Sequence, residues 1–455
     1  MQAPFQVQFI GATGTVTGSK YLVKYDRYKL LIDCGLFQGI KNVRRRNWTE
    51  LPFHADNVDA VLLTHAHIDH SGFLPALMKR GFHGPIYCSE GTHALCKVLL
   101  PDAGYLQEED AKYANKKRFS KHEPAEALYT EDDARKVLKQ FRHIATSDTL
   151  ELPGGMTATF TPTGHILGAC AIRLEYQGKS ITFTGDVGRS NDMIMYPPKP
   201  LAATDYLVVE STYGNRLHEE IDAEQAIADV VNRTAARGGI VLMPAFAVGR
   251  AQLVIHILQK LLEQNRIPTM PVYLNSPMAI RATEIFFSLH DEHKLSKEDC
   301  EKMDHITHYV KTVEESIELN NRKYPGIIIS ASGMASGGRV LHHLKTLVGD
   351  ARNSVLFLGY QAAGTRGDSL TNGADHIKIH GQYFPVKAEV ANLQALSSHG
   401  DYREISDWLK KMPGKPTKVF ITHGESCAAD CMRLHLQDEF GWNVEVPEYL
   451  DIALL

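Results

Sequence analysis

The sequence predicts an α/β protein in which one domain is inserted into another. Strand-like runs dominate the first part of the chain, short apolar runs alternate with amphipathic helices after Tyr206, and a strand-rich pattern returns from about residue 376. Alternation of apolar runs with helices is typical of a parallel sheet with helical crossovers. We therefore expect a Rossmann-like block at residues 209–375, inserted into a discontinuous domain formed by residues 1–208 and 376–455.

The strands and helices follow from local patterns. Residues of alternating character between short turns predict antiparallel strands in FQVQFIGA, KYLVKY, YKLLIDCG and AVLLTH. Helical periodicity follows at about 70–80 and 91–100, and Thr130 with Asp133 marks a further helix start. Strands return in MTATFTPTG, CAIRLEYQG and SITFTGDVG. The parallel block is predicted from DYLVVES, GGIVLMPA, MPVYLNS, GIIISAS and NSVLFLGY, and HIKIHGQYFPVKAEVANL resumes the first domain.

Composition limits the class of protein. The chain has 455 residues, of which 44% are hydrophobic and 22% charged, as in globular proteins. It contains no apolar run of the ~18 residues that a membrane helix needs, and its first residues lack a signal-peptide pattern, so we expect a cytoplasmic protein without membrane association. Seven cysteines without a CxxC pair predict neither a disulfide framework nor a zinc ribbon.

The charge distribution is uneven. A net charge of −4 argues weakly against broad nucleic-acid binding. Two local basic stretches stand out, KNVRRRN at Lys41–Asn47 and NKKRFSK at Asn115–Lys121. Taken alone, each is more typical of a solvated face than of a binding surface.

The stretch VLLTHAHIDH carries the strongest chemical signal. His65, His67, Asp69 and His70 follow an apolar strand, and burial of four such groups without a metal would be costly. Imidazole and carboxylate are common zinc ligands. Residues two apart in an extended segment point the same way, so His65 and His67 can share one metal while Asp69 and His70 face a second. The pattern predicts two metals close together.

Four other metal-ligand side chains also stand where strands end, beside glycine. They are Asp33 in LLIDCG, His165 in TPTGHILGA, Asp186 in ITFTGDVG and His423 in KVFITHGE. Singly, each fits a turn-forming aspartate or a hydrogen-bonded histidine of the core. Their recurrence at strand ends predicts that they join the VLLTHAHIDH residues in one shared site.

These residues resemble a known family. THAHIDH with Asp33, His165 and Asp186 resembles the metallo-β-lactamase fold, and Glu210 in VVESTYGNR, His399 in ALSSHGDY and His423 in FITHGE resemble its nucleic-acid-cutting β-CASP branch. GATGTVTGSKYLV, LFQGIKNVRRRNW, PAFAVGRAQ, SASGM and GYQAAGTRG are similar to prokaryotic RNA-processing members, which are relatives of the pre-mRNA 3′-end endonuclease and of RNase J. The resemblance implies an αββα sandwich with an inserted β-CASP domain.

The resemblance also implies a set of roles. Asp33 would orient ligands by hydrogen bonds, His399 would act as general acid, and Glu210 would hold and charge His399. A hydroxide shared by two Zn²⁺ per chain would attack phosphorus, with Asp69 both ligand and part of the catalytic set. The implied ligands are His65, His67 and His165 on the first ion, Asp69, His70 and His423 on the second, and Asp186 between the two.

Glycine-rich turns are candidates for contacts with substrate phosphates. Ser330 and Ser332 in SASGM follow a strand and precede a helix, where hydroxyls and amides can bind phosphate. The alternative for such turns is simple chain reversal. GTVTGSK lacks the P-loop spacing, so we interpret it as a turn and expect no nucleotide cofactor. The further candidates are Tyr360, Thr365 and Arg366 in GYQAAGTRG, and Arg250 in FAVGR.

The leading functional hypothesis is a zinc-dependent ribonuclease that hydrolyses single-stranded RNA in RNA processing or decay, by endonuclease action, 5′–3′ exonuclease action or both. A DNA nuclease is an alternative, because nothing in the residues selects the sugar. A small-molecule thioester or lactone hydrolase could use the same metals, but the inserted domain and the His399–Glu210 pair argue against it. A non-catalytic RNA-binding subunit is a further alternative, although every ligand position is filled. Archaeal relatives carry N-terminal KH modules, which we do not find here, so we expect substrate capture by the core or by partners. The resemblance slightly favours a homodimer.

Overall fold

The chain divides into two compact units. The computed structural model describes residues 4–117, 122–322, 324–361 and 364–455, so the basic stretch predicted at Asn115–Lys121 lies partly outside the described residues. The discontinuous unit consists of Met1–Leu217 with His399–Leu455, and the inserted unit is His218–Ser398. The expected boundaries, near residues 208 and 376, therefore differ from the observed division.

The strands of the described residues are short. In chain order they are β1 (Gln6–Phe9), β2 (Tyr21–Tyr25), β3 (Tyr28–Ile32), β4 (Ala60–Leu62), β5 (Ile86–Cys88), β6 (Phe141–His143), β7 (Thr149–Glu151), β8 (Thr157–Pro162), β9 (Cys170–Tyr176), β10 (Lys179–Phe183), β11 (Tyr206–Glu210), β12 (Ile240–Pro244), β13 (Val272–Leu274), β14 (Thr307–Tyr309), β15 (Gly326–Ser330), β16 (Ser354–Phe357), β17 (His376–Ile379), β18 (Gln382–Pro385), β19 (Glu389–Asn392), β20 (Lys418–Thr422), β21 (Val444–Glu445) and β22 (Ile452–Leu454).

The α-helices vary more in length. They are α1 (Lys41–Arg44), α2 (Ile68–Ser71), α3 (Leu74–Lys79), α4 (Glu90–Lys117), α5 (Glu131–Val137), α6 (Ala223–Ala236), α7 (Arg250–Glu263), α8 (Pro277–Ser288), α9 (Lys297–Ile306), α10 (Val313–Asn320), α11 (Val340–Leu347), α12 (Arg366–Thr371), α13 (Tyr402–Leu409) and α14 (Ser426–Phe440). The predicted helix start at Thr130 is present, since its side chain and that of Asp133 form a capping box.

The discontinuous unit is a sandwich of two seven-stranded sheets. One sheet has the order β22-β1-β2-β3-β4-β5-β6 and the other β21-β20-β11-β10-β9-β8-β7. Their inner faces meet in one apolar core, in which the rings of Phe9 and Phe420 lie 5.1 Å apart. Ile405 of α13 and Leu436 of α14 pack on the outer face of the second sheet, and α4 contacts β6 of the first. This arrangement is the expected αββα sandwich.

Two strands differ from the sequence prediction. β4 pairs with β3 in parallel, because the long connection that contains α1 lets the chain cross over before it returns. β11, which we predicted as the first strand of the parallel block, pairs in parallel with β10 and β20 in the discontinuous unit. A strand buried between parallel neighbours is continuously apolar wherever it lies, so composition alone does not assign it to a domain.

The inserted unit contains a six-stranded sheet with the order β14-β13-β15-β12-β16-β19, and every pair in it is parallel. β17 and β18 form a separate antiparallel hairpin. Because β19 pairs with β16, the segment from about residue 376 to Ser398 belongs to this unit, not to the first domain as predicted. Its alternating pattern came from a hairpin and an edge strand.

The chain end completes the first sheet, because β22 pairs with β1. In the part of the chain that the structure describes, no helix has the length and apolar character needed to cross a membrane. The seven cysteines all lie within that part, and none of them forms a disulfide there.

Candidate metal centre

The loop that follows β4 is held by hydrogen bonds to the segment that follows β3. The backbone N–H of Cys34 donates to the carbonyl of His70 at 2.6 Å, and that of Leu36 donates to Ile68 at 2.9 Å. A Cβ atom on Gly35 would lie 1.5 Å from the carbonyl oxygen of Asp69, so only glycine allows this close approach. The VLLTHAHIDH loop is therefore clamped against the end of β3.

Three histidines turn their ring nitrogens towards one point. Nε2 of His65 lies 3.1 Å from Nδ1 of His67, and Nε2 of His165 lies 3.2 Å from the same atom. Nitrogens bound to one tetrahedral zinc at ~2.0–2.1 Å are separated by about 3.3 Å. Convergence of three imidazole nitrogens at this spacing fits a metal ligand group better than a hydrogen-bond network. We call His65, His67 and His165 the first ligand group.

A second group stands beside the first. Nε2 of His70 lies 3.1 Å from Nε2 of His423, which is 3.4 Å from Oδ2 of Asp69. These three residues, the second ligand group, offer two nitrogens and one oxygen, which is a donor set suited to zinc.

Asp186 lies between the two groups. Its Oδ2 is 3.3 Å from His65 and 3.4 Å from His165, whereas its Oδ1 is 3.3 Å from Nε2 of His70. Oδ1 is buried and has no hydrogen-bond partner among the described residues. An orphaned carboxylate oxygen that faces histidine nitrogens fits a bound cation, because a buried acceptor without a partner is otherwise costly. The residues present thus fit a metal site of histidine and carboxylate ligands.

The electrostatics of the first group match ligands in their neutral form. Burial, with the neighbouring histidines, lowers the pKa of His65 to about 3. Burial also lowers the pKa of His67 and takes that of His165 well below its usual range. Neutral imidazole is the form that binds metal. In His70, burial opposes protonation, but Asp186 and Asp33 raise its pKa well above the usual range, so a metal bound at this histidine would have to displace a proton.

Asp33 orients the His70 ring through the ring nitrogen that faces away from the second ligand group. Nδ1–H of His70 donates to Oδ2 of Asp33 at 2.7 Å, and the amide and hydroxyl of Thr64 donate to the same carboxylate at 2.8 Å each. The arrangement leaves Nε2 of His70 directed at the second ligand group. Asp33 and His423 have φ angles of +56° and +51°, in the left-handed region that non-glycine residues adopt rarely, although aspartate and histidine tolerate it better than most.

Replacement of Asp33 tests this orienting contact. We expect Asp33→Asn to weaken metal affinity by about 10–100-fold, since the amide cannot hold the His70 tautomer as a carboxylate does. Competition with a zinc chelator measures the change. Asp59→Asn is the matched control, because Asp59 also accepts a backbone N–H, from Lys29 at 2.8 Å, but contacts no ligand histidine. Equal affinity of the two variants would contradict the assigned role.

The half-buried His399 and the buried Glu210 form a pair next to Asp186. Nδ1 of His399 lies 3.1 Å from each carboxylate oxygen of Glu210 and 4.0 Å from Oδ2 of Asp186. Glu210 also accepts the backbone N–H of Val187 at 2.7 Å. Burial opposes the charge on His399, but Glu210 outweighs it and raises the pKa of His399 to about 9. The pair therefore presents a protonated imidazole, fixed in position, that can act as a proton donor.

Three supporting side chains escaped the sequence analysis. The Ser19 hydroxyl lies 3.3 Å from Nε2 of His70, and Nδ1 of His423 lies 3.2 Å from the Thr212 hydroxyl. Lys20 is buried, donates to the Gly35 carbonyl and has its pKa lowered to about 8 by burial. GTVTGSK is therefore more than the predicted turn, because its last residues support the metal loop. The only sequence signal for a role of Ser19 and Lys20 was that they directly follow Gly18.

The candidate phosphate-contact residues lie in the inserted unit. The loops that follow β12, β15 and β16 share the carboxyl edge of the sheet, as Gln361 shows by donating to the carbonyl of Gly333 at 3.3 Å. Two predicted donors have other partners. The Ser330 hydroxyl is fully buried and donates to Asn275, and the Arg366 guanidinium donates to the carbonyls of Lys378 and Ser336. Both donors are engaged within the protein, and the phosphate roles of Ser330 and Arg366 stay predictions.

The other candidates differ in exposure. Ser332 is half-buried and its hydroxyl accepts the N–H of Ser336 at 3.3 Å. Thr365 caps α12 by accepting the N–H of Asp368 at 3.1 Å. Arg250 is buried, and its guanidinium lies near Gly359, beside the half-buried Tyr360. None of these contacts identifies a ligand.

Three family models match the chain. Residues 13–222 match the metallo-beta-lactamase superfamily, residues 251–370 the Beta-Casp domain, and residues 383–447 the Zn-dependent metallo-hydrolase RNA specificity domain. The first covers the strands from β2 to β11, and with them every candidate ligand described above except His423. His399 and His423 fall within the third.

Similar proteins extend over nearly the whole chain. Ribonuclease TTHA0252 of Thermus thermophilus is 33% identical over 91% of this chain and 92% of its own length. The RNase J-like protein of Methanocaldococcus jannaschii is 29% identical over 92% of both chains, and transcription termination factor FttA of that organism is 30% identical over 92% of this chain and 67% of its own. A crystal structure of an Enterococcus faecalis protein of unknown function shares the fold, with a TM-score of 0.55 and 14% identity over the full length of both chains. The chain thus belongs to the metallo-β-lactamase superfamily, in the branch that carries a β-CASP domain.

Proposed function

We propose that this chain is a zinc-dependent ribonuclease that hydrolyses phosphodiester bonds of single-stranded RNA. The observation that carries the proposal is the His399–Glu210 pair, 4.0 Å from a carboxylate that faces both ligand groups. Departure of an alkoxide from phosphorus needs a proton, which a fixed imidazolium can supply. The choice of RNA is supported by the match to an RNA specificity domain and by the similarity to two proteins named as ribonucleases.

The two ligand groups would hold two zinc ions, with Asp186 between them. Zinc ions bound there supply an activated water at neutral pH and neutralise charge on the phosphoryl oxygens. The protein's own contribution is to fix the ligands. Asp33 and Thr212 hold the Nδ1 atoms of His70 and His423, so that the other ring nitrogen of each is directed into the centre.

His399 would deliver the proton to the leaving oxygen. Its Nδ1–H is held by Glu210, so the proton for transfer is the one on Nε2. The Glu210 carboxylate keeps the imidazolium form available, and the like charge of bound cations would move the pKa of His399 down from about 9 towards neutrality. A general acid works best when its pKa lies near the working pH.

The predicted phosphate contacts remain part of the proposal, at the carboxyl edge of a parallel sheet where ligands commonly bind. The residues proposed are Ser330, Ser332, Tyr360, Thr365, Arg366 and Arg250. Cytoplasmic location, a homodimer and the absence of a nucleotide cofactor also remain predictions. The two-domain organisation is proposed as a metallo-β-lactamase domain with an inserted β-CASP domain, which the two family models and the division into two compact units support.

A substrate panel tests the function. The zinc-loaded protein would be incubated with a labelled single-stranded RNA, a DNA of the same sequence, a lactam and a thioester. We expect cleavage of the RNA at a rate well above that of each of the others. Preferential cleavage of the DNA would make the chain a DNA nuclease, and turnover of the thioester alone would make it a small-molecule hydrolase.

A further inference from the structure

A short segment of the discontinuous unit combines exposed positive charge with an exposed indole. Residues 40–48, here called the 40–48 surface, include α1 and the 3₁₀ turn Arg45–Trp48. The side chain of Trp48 is 59% exposed, whereas the other two tryptophans, Trp408 and Trp442, are 4% and 8% exposed. An exposed tryptophan beside a basic run is unusual on a soluble protein and commonly marks a binding surface.

The cations of this surface are not paired with acidic side chains in the part of the chain that the structure describes. Within the described residues, no carboxylate lies in ion-pair distance of Lys41, Arg44 or Arg45, although the chain as a whole carries a net charge of −4. Many exposed cations elsewhere in the discontinuous unit are paired, as Arg135 is with Glu131. A local excess of unpaired positive charge on a negative protein favours a polyanion at this place.

The surface is exposed but held in position. The Asn47 side chain is buried and makes two hydrogen bonds to the backbone of Phe37, at 2.9 and 2.8 Å. Arg80 donates to the carbonyls of Asn47 and Thr49 at 3.0 and 2.9 Å. Arg46 stacks on Tyr449 at 4.3 Å. A fixed backbone beneath exposed side chains lowers the entropy cost of ligand binding.

The surface also lies close to the metal centre along the chain. The backbone N–H of Leu36 donates a hydrogen bond to the carbonyl of Ile68 in the metal loop at 2.9 Å, and Lys41 follows Leu36 five residues later. Five residues of extended chain span at most about 18 Å. The backbone N–H of Gln38 is further tied to the Thr17 hydroxyl at 3.2 Å. A strand cut at the metals can therefore reach this surface within a few nucleotides.

We propose that the 40–48 surface is a docking site for single-stranded RNA outside the metal centre. Trp48 stacks on one unpaired base, and Lys41, Arg44 and Arg45 contact neighbouring phosphates. Alternation of cations with an aromatic ring is how proteins bind single strands with little sequence preference. Stacking requires a base that is free of a duplex, so the surface favours single strands. This inference rests on the proposed function and adds a subsite to it.

The test compares three changes in the zinc-loaded protein. Arg44→Glu with Arg45→Glu removes phosphate contacts, Trp48→Ala removes the stack, and Trp48→Phe retains an aromatic ring. Lys411→Glu with Lys415→Glu is the matched control, with the same charge change at exposed lysines far along the chain. The probes are a labelled 20-nucleotide RNA and bis(p-nitrophenyl) phosphate, which is too small to span the metal centre and this surface.

We expect the double arginine variant to raise the KM for RNA by at least about tenfold with an unchanged kcat. For this variant, the slope of log KM against log salt concentration should be smaller by about 1.4, since each of the two lost phosphate contacts contributes ~0.7. Trp48→Ala should raise the KM by roughly 5–100-fold without a change of slope, and Trp48→Phe should restore most of it. RNA should quench the exposed tryptophan emission of the wild type and not that of Trp48→Phe. Hydrolysis of bis(p-nitrophenyl) phosphate should stay unchanged in all variants.

Other outcomes separate the claims. A KM equal to that of the lysine control, or an equal loss on bis(p-nitrophenyl) phosphate, overturns the docking site while the proposed function stands. Binding and quenching without cleavage by the wild type overturns the proposed function and leaves the docking site. Quenching by polyglutamate as strong as by RNA would assign the surface to an acidic protein and overturn the RNA proposal.

Discussion

His399→Ala is expected to keep both metals and to lose about 10²–10⁴-fold in kcat on single-stranded RNA, which is the usual contribution of a positioned general acid. The reason lies in its contacts, because Nδ1 of His399 is bound by Glu210 at 3.1 Å and not by the ligand groups. Metal content by mass spectrometry and single-turnover cleavage of a labelled RNA measure the two effects on one sample.

Two further variants sharpen this prediction. Glu210→Gln should also lower kcat with the metals retained, because an amide cannot stabilise the imidazolium. His54→Ala removes an exposed histidine of the same unit and should leave both readings unchanged. If His399→Ala loses zinc in proportion to activity, His399 is a ligand and the assigned role is wrong.

Asp69→Ala is expected to lower the metal content from two ions to about one. Asp69 supplies the carboxylate of the second ligand group, and its Oδ2 lies 3.4 Å from Nε2 of His423. Loss of one ion removes several kcal/mol of charge stabilisation, so kcat should fall by about 10³-fold or more. Titration of zinc against cleavage rate measures the change.

The control for charge is Asp56→Ala, since Asp56 is an exposed aspartate of the same unit. It should bind two ions and cut RNA at the wild-type rate. Full activity of Asp69→Ala with one bound metal would contradict the binuclear account. The position of Asp186 between the groups would then need another explanation.

The histidine and aspartate cluster could be predicted from the sequence because its central part is local. His65, His67, Asp69 and His70 lie within six positions, and their order on the loop follows from strand geometry. Asp33 and Asp186 stand at strand ends, where a sheet brings side chains together. For such residues the sequence pattern and the observed contacts describe the same geometry.

Other features depend on contacts that no pattern encodes. Ser330 follows a strand and precedes a helix, as a phosphate-binding residue would, yet its hydroxyl is buried against Asn275. Thr64 holds Asp33 through two hydrogen bonds, but a threonine beside histidine gives no sequence signal. β11 was predicted in the inserted domain and lies in the discontinuous unit, whereas β19 was predicted in the first domain and lies in the inserted unit. Apolar strands fit either sheet equally well, so their pattern does not assign them.

The central claim is that two zinc ions in the centre around Asp186 make this chain a ribonuclease. The most direct measurement is zinc content together with cleavage of a 5′-labelled single-stranded RNA, before and after removal of metal by a chelator and after zinc is restored. We predict two ions per chain, cleavage only when both are present, and recovery on addition of zinc. Undiminished cleavage by metal-free protein, or two bound ions with no cleavage of RNA, would contradict the account.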